Sequence, residues 1–336
     1  MTGKERVLAR LRGEATDCLP LLPITMMFAA DTAGVRYGDY ARNAQKLAYS
    51  QLKTAEKYDF DYVSVISDPA REASDLGAVV EWFDDQPPAI NESQALIDSP
   101  ARLKELPVPE GFLGPRMTDR IEGVRLLHEA AGSALVVEGW VEGPCALAAD
   151  LRGVNTLMLD LYDDPGFVED LFDYVLAMEI VFAKRQVEAG ATMIGIGDAA
   201  ASLIGPKFYE RFVQPREKRM MAEIQALGVP ARLHICGNTR RMLAGMGATG
   251  ATLVDLDYPS PVHEARAAMG PEQVLLGNLD PLRVVHDGTP ETVTAAIAQC
   301  HAEAGPNFIV GAGCEIPRGT PAENLLALTR YARSHA

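Results

Sequence analysis

Arg232-Leu-His-Ile-Cys-Gly-Asn238 reads as the end of a buried strand that stops at a tight turn. Alternate residues of an extended strand share a face, so His234 and Cys236 project together from its end. The same grammar recurs along the chain: a short apolar run, then a glycine or a polar residue, then a helical pattern. Runs of this kind occupy residues 18–24, 62–67, 134–138, 192–197, 232–235, 252–256, 273–277 and 307–311. Near-continuous apolar runs are what parallel strands covered on both faces require. A doubly wound sheet would alternate in the same way, but eight strands over about one barrel's length decide for an α/β fold of the (β/α)8 TIM-barrel type. The reading is one domain over residues 1–336, with an N-terminal helical extension at 4–12 and an insertion after strand 2 at 70–115.

Helical patterns fall at 39–58, 117–131, 147–152, 165–189, 207–227, 238–246, 262–269 and 290–304. In 165–189, Phe167, Leu171, Val175, Met178 and Phe182 form one apolar stripe between an early Pro165 and a terminal Gly190. Thr320-Pro-Ala-Glu323 has the spacing of a capping box opening the last helix.

The chain carries 31 Lys and Arg against 46 Asp and Glu, a net charge of −15. That balance excludes nucleic acid and anionic membranes as partners, and it disfavours a highly anionic substrate unless local arginines override the field. No apolar run is long enough to span a membrane. Five cysteines without framework spacing point to a reducing, cytoplasmic setting, and Cys18, Cys145 and Cys300 read as structural.

In such a barrel the chemistry sits at the C-terminal strand ends. Those ends carry Met26 and Met27, Asp68, Glu138, Asp198, His234 with Cys236, Asp255, Asn278, and Cys314 in Gly311-Ala-Gly-Cys-Glu-Ile-Pro317. One imidazole and two thiols form a three-ligand zinc set that leaves a fourth position for water or substrate. The same cysteines also fit the role of small buried hydrophobes, and spacing alone weighs the two readings equally. Asp68, Glu138, Asp198 and Asp255 are the candidate catalytic carboxylates, although Asp68 and Asp198 fit helix-cap and turn roles as well. Asp257 reads as a turn residue. Met26, Met27 and Asn278 are the candidates for contact with a cofactor at the mouth.

The opening Thr2-Gly-Lys-Glu-Arg-Val-Leu-Ala-Arg-Leu-Arg-Gly13, Val141-Glu-Gly-Pro144 and Gly277-Asn-Leu-Asp-Pro281 resemble the uroporphyrinogen decarboxylase superfamily over essentially the whole chain. His234-Ile-Cys-Gly-Asn-Thr239 and Gly313-Cys314 resemble its corrinoid-dependent methyltransferase branch, which includes the methylcobalamin:coenzyme M methyltransferases. The resemblance implies zinc on His234, Cys236 and Cys314. It also implies methyl transfer between a small methylated compound, or a thiol acceptor, and the cobalt of cobalamin carried by a separate corrinoid protein. A homodimer is compatible with the chain. The alternative is a metal-free, decarboxylase-like lyase. Against it, Thr25-Met-Met-Phe28 stands where true decarboxylases carry an arginine-rich motif for the porphyrin carboxylates.

Overall fold

Seven of the apolar runs pair side by side in one parallel sheet, because each is apolar on both faces and can be buried only between two layers. The computed structural model describes residues 1–336. Its strands are β1 (Tyr62–Ser64), β2 (Val80–Glu81), β3 (Ala89–Ile90), β4 (Val136–Glu142), β5 (Met193–Gly197), β6 (Ala231–Ile235), β7 (Leu253–Leu256), β8 (Val274–Gly277) and β9 (Phe308–Ile309). β2 and β3 form a separate antiparallel pair within the insertion. The other seven run in the order β1-β4-β5-β6-β7-β8-β9, each beside the next along the chain. Register sets Gly197 beside His234, and His234 beside Asp255. Helices line the connections, and the result is a curled parallel sheet wrapped by helices.

Residues 18–24 depart from expectation. They form no strand, only a single parallel bridge between Leu21 and Val310. Pro20 and Pro23 explain it, since neither has an N–H to give to a ladder. The run still touches both edges of the sheet. The Leu22 N–H donates to the Val310 carbonyl at 2.9 Å, and the Asp61 N–H donates to the Leu21 carbonyl at 3.2 Å.

The expected helix over 39–58 is two helices, Tyr37–Arg42 and Ala44–Tyr58, divided at Asn43, whose side chain caps the second. The helix over 207–227 is interrupted by a wider turn at Tyr209–Val213, and 238–246 keeps only Leu243–Gly247. The capping box at Thr320 does not form. Its hydroxyl donates to the Pro317 carbonyl instead, and the last helix, Ala322–Ser334, starts without a side-chain cap. Helices at Met27–Ala33, Ala70–Leu76 and Val154–Asp163 were not expected.

Other readings hold. The N-terminal helix expected at 4–12 stands at Gly3–Leu11, opened by a Thr2 and Glu5 capping box that the sequence reading did not include. All five stripe residues of Pro165–Glu188 are buried, each contributing about 1.5–3 kcal/mol at most.

Candidate metal centre and its cavity

His234 stands on β6, and Cys236 follows where the strand ends. Gly237 then turns the chain at a φ of +92°, a conformation that favours glycine. Asp257 holds this turn by accepting from the N–H groups of Gly237 and Tyr258 at 2.5 and 2.7 Å. Cys314 arrives from the loop after β9. A Cβ on Gly313 would come within 2.5 Å of the Tyr258 backbone nitrogen, so this approach needs glycine.

The ligand atoms of His234, Cys236 and Cys314 all lie within 4.8 Å of one another. His234 Nε2 is 3.0 Å from Cys236 Sγ, and the two sulfurs are 3.7 Å apart. Two thiolates about 2.3 Å from a tetrahedral zinc would stand about 3.75 Å apart, so the sulfur pair already has the spacing of such a site. The imidazole is closer than that geometry asks, at hydrogen-bond distance. Burial and donor chemistry fit a zinc ion with one position open.

The electrostatics favour the thiolate at Cys314 and the protonated forms of its two neighbours. A hydrogen bond from Cys236 and the nearby imidazole hold the Cys314 thiol down to about 4 despite burial, while Cys236 is pushed up by the same sulfur contact and by burial. Burial opposes the charged form of His234, but Cys236 and Asp255 outweigh it and raise the imidazole well above its usual value.

Behind the ligands, His234 Nδ1 lies 3.1 Å from Asp255 Oδ2, within ion-pair distance but not aligned as a hydrogen bond. Arg232 donates to the same oxygen from Nη2 at 2.6 Å and Nε at 3.1 Å, and to Glu138 from Nη1 at 3.1 Å. These three charges are sealed inside the sheet. Burial would raise Asp255, but Arg232 and His234 hold it low; Glu138 is pushed up by burial despite the same arginine.

A cavity of about 170 Å³ opens beside the sulfurs. Ile24, Met26, Ile66 and Trp140 form its apolar wall; Asp68, Glu142 and Glu315 are its carboxylates. Asp68 is spoken for, taking both Arg116 nitrogens at 2.8 and 2.7 Å, which hold it low against its burial. Glu142 lies 3.4 Å from Arg71 Nη2 and is pushed well above its usual value, first by burial and then by Glu72. Glu315 accepts the Met27 N–H at 2.7 Å, and burial raises it to about 7. An outer hollow of about 440 Å³ shares Pro69, Glu142, Ala199 and Cys236 with the cavity.

Not every strand-end residue reaches this cavity. Asp198 accepts from the Ala146 and Cys145 N–H groups at 2.7 and 3.4 Å, capping the helix Pro144–Arg152, and burial raises it to about 7. Asn278 donates to the carbonyls of Asp257 and Ser260, away from the sulfurs. Glu138 and Asp255 sit behind the ligands, and of the two methionines only Met26 lines the wall. Sequence reasoning passed over Arg71, Glu72 and Glu179, the buried surroundings of Glu142. A signal existed for Glu179: it falls one turn after Val175, inside the apolar stripe of its helix.

The geometry defines a class: an α/β protein with a His/Cys/Cys group that could hold a metal ion at the C-terminal ends of its parallel strands. A family profile described as "Uroporphyrinogen decarboxylase (URO-D)" matches residues 2–335, and the chain belongs to that family. It is 30% identical over 341 residues to the methylcobamide:CoM methyltransferase MtbA of Methanosarcina mazei, covering 99% of this chain and 98% of that protein. A uroporphyrinogen decarboxylase of Myxococcus xanthus is 27% identical over 83% of this chain and 82% of its own length. Among solved structures, a methyltransferase from Methanosarcina mazei shares the fold with a TM-score of 0.85, at 22% identity over 99% of this chain and 98% of that one.

Proposed function

We propose that the chain is a zinc-dependent methyltransferase that moves a methyl group between a small compound and the cobalt of a separate corrinoid protein. The observation that carries this is the His234, Cys236, Cys314 set, buried together beside a small cavity. Zinc held there supplies a Lewis acid whose open position takes the heteroatom that bears or receives the methyl group. The corrinoid supplies the cobalt to which the methyl group is bound.

This chain's residues do the positioning. Two cysteine thiolates leave a divalent site without net charge, which keeps a bound substrate thiolate nucleophilic. Asp255 faces Nδ1 and so directs Nε2 toward the metal, the usual arrangement for a ligating histidine. Arg232 and Glu138 hold Asp255 from behind. Ile24, Ile66 and Trp140 exclude water from the transfer. Asp68 shapes the wall through Arg116, and Asp198 fixes the helix beside it. Glu142, on the wall, exchanges the proton of the substrate heteroatom.

We extend the reading to the scaffold. Residues 18–24 act as the eighth strand position and close a single (β/α)8 domain, supported by their contacts with both sheet edges. The decarboxylase reading is less well supported, because neither hollow beside the sulfurs has a lysine or arginine on its wall to hold the carboxylates of a porphyrin.

Metal analysis of the wild type against Cys314→Ala tests the proposal. About one zinc per chain is expected in the first and little in the second, with loss of methyl transfer from methylcobalamin. Equal zinc in both would falsify it.

A further inference from the structure

Neither hollow beside the sulfurs has a lysine or arginine on its wall; Arg240, paired with Glu264, and Arg241 line a separate hollow beyond Ser202 and Leu203. The inner one presents Asp68, Glu142 and Glu315, the outer one Glu142 and Asp150. The arginines nearby are committed. Arg116 is held by Asp68, Arg71 lies fully buried against Glu72 and Glu142, and Arg318 is shared by Asp31 and Asp85.

Backbone N–H groups at helix starts are the other ready receivers of an anion. Here too the chain's own carboxylates have taken the places. Asp198 occupies the start of Pro144–Arg152, and Glu315 takes the first N–H of Met27–Ala33. The helix Ala70–Leu76, which starts after Pro69, carries Glu72 in its own first turn. An anionic group entering the cavity would lose its hydration with no side-chain cation on the wall to pair with, whereas Glu142 can release its proton to meet a cationic group.

We infer that the compound bound beside the sulfurs is small and carries no negative charge: a neutral or cationic thiol, or its methylated form. This rests on the metal-site reading and names the substrate class of that site. Glu142, facing both hollows, is the side chain that can answer a cationic group. The chain thereby differs from what the names of its relatives suggest, since coenzyme M is 2-mercaptoethanesulfonate, an anionic thiol.

The test uses the full chain loaded with Co²⁺ in place of zinc. Its visible ligand-field spectrum is titrated with three thiols on the same two-carbon frame: 2-mercaptoethanesulfonate, 2-mercaptoethanol and cysteamine. The sulfonate is expected to bind roughly ten-fold or more weakly than the neutral thiol, and cysteamine at least as tightly as the neutral thiol. In Glu142→Gln cysteamine is expected to lose affinity relative to 2-mercaptoethanol, while the sulfonate stays weak. A sulfonate that binds as tightly as 2-mercaptoethanol overturns the inference while leaving the metal site standing. Unchanged cysteamine binding in Glu142→Gln removes the role of that residue. A chain that takes up neither Co²⁺ nor Zn²⁺ removes the metal-site reading, and this inference with it.

Discussion

Two arginines sit fully buried near the same cavity, and their surroundings differ. Arg232 lies between Glu138 and Asp255, and its hydrogen bonds run to both carboxylates from three nitrogens. Arg71 lies among Glu72, Glu142 and Glu179 with two side-chain hydrogen bonds, both from Nη2. Its Nε and Nη1, one oxygen of Glu72 and both of Glu179 make none within the chain. The first network uses every nitrogen of its cation, leaving only Asp255 Oδ1 and His234 Nδ1 without a hydrogen bond, and it backs His234. The second has one cation for three carboxylates, and burial pushes all three above their usual values. A buried group with no partner takes up a proton rather than stay charged. The comparison separates a rigid support from a titratable wall.

Cutting the first network has the largest expected effect. Arg232→Met leaves Glu138 and Asp255 without their cation, at a cost of about 3–5 kcal/mol in urea unfolding at pH 7. Arg71→Met is expected to cost less, about 1–3 kcal/mol, because its carboxylates can neutralise themselves. Equal losses in the two variants would break the distinction.

The first network was the more legible of the two. His234 and Cys236 follow from strand alternation, and Asp255 from its place at the end of the next run, so the site and its support were readable as a set of strand ends. The titratable wall was not, because Arg71 and Glu72 lie on a helix too short to announce itself and Glu179 sits in a helix that reads as plain core. The strand-end rule also gathered residues with other work: Asp198 and Asn278 follow their strands but spend their polar atoms on backbone. Residues 18–24 show the same limit for the fold, since hydropathy gave a strand while two prolines withheld its ladder. Trp140 faces the cavity, whereas Tyr209 is buried, donating to Glu217 at 2.5 Å.

A smaller change sharpens the role of the first network. Asp255→Asn keeps the shape but weakens the pull on His234 Nδ1. Loss of such a partner typically lowers metal affinity by about 10–100-fold. Competition with a zinc chelator measures it, and full retention of affinity would mean that Arg232, not the metal ligand, is what Asp255 serves.

The mildest test concerns pH. Asp150 lies on the outer hollow, and its Oδ2 makes no hydrogen bond within the chain. Burial, and then the charges of Glu72 and Glu92, raise it to about 8 from an ordinary 3.8. Its folded form therefore keeps a proton that the unfolded form has lost between roughly pH 4 and 8. More protons on the folded side means that stability falls as pH rises through that window. Asp150→Asn has no proton to lose, so its stability should decline less between pH 5 and pH 8 than that of the wild type. Urea midpoints at the two pH values give the slopes. Parallel slopes would show that Asp150 titrates normally and that the titratable wall ends at Glu142; a flatter slope in the variant extends it into the outer hollow.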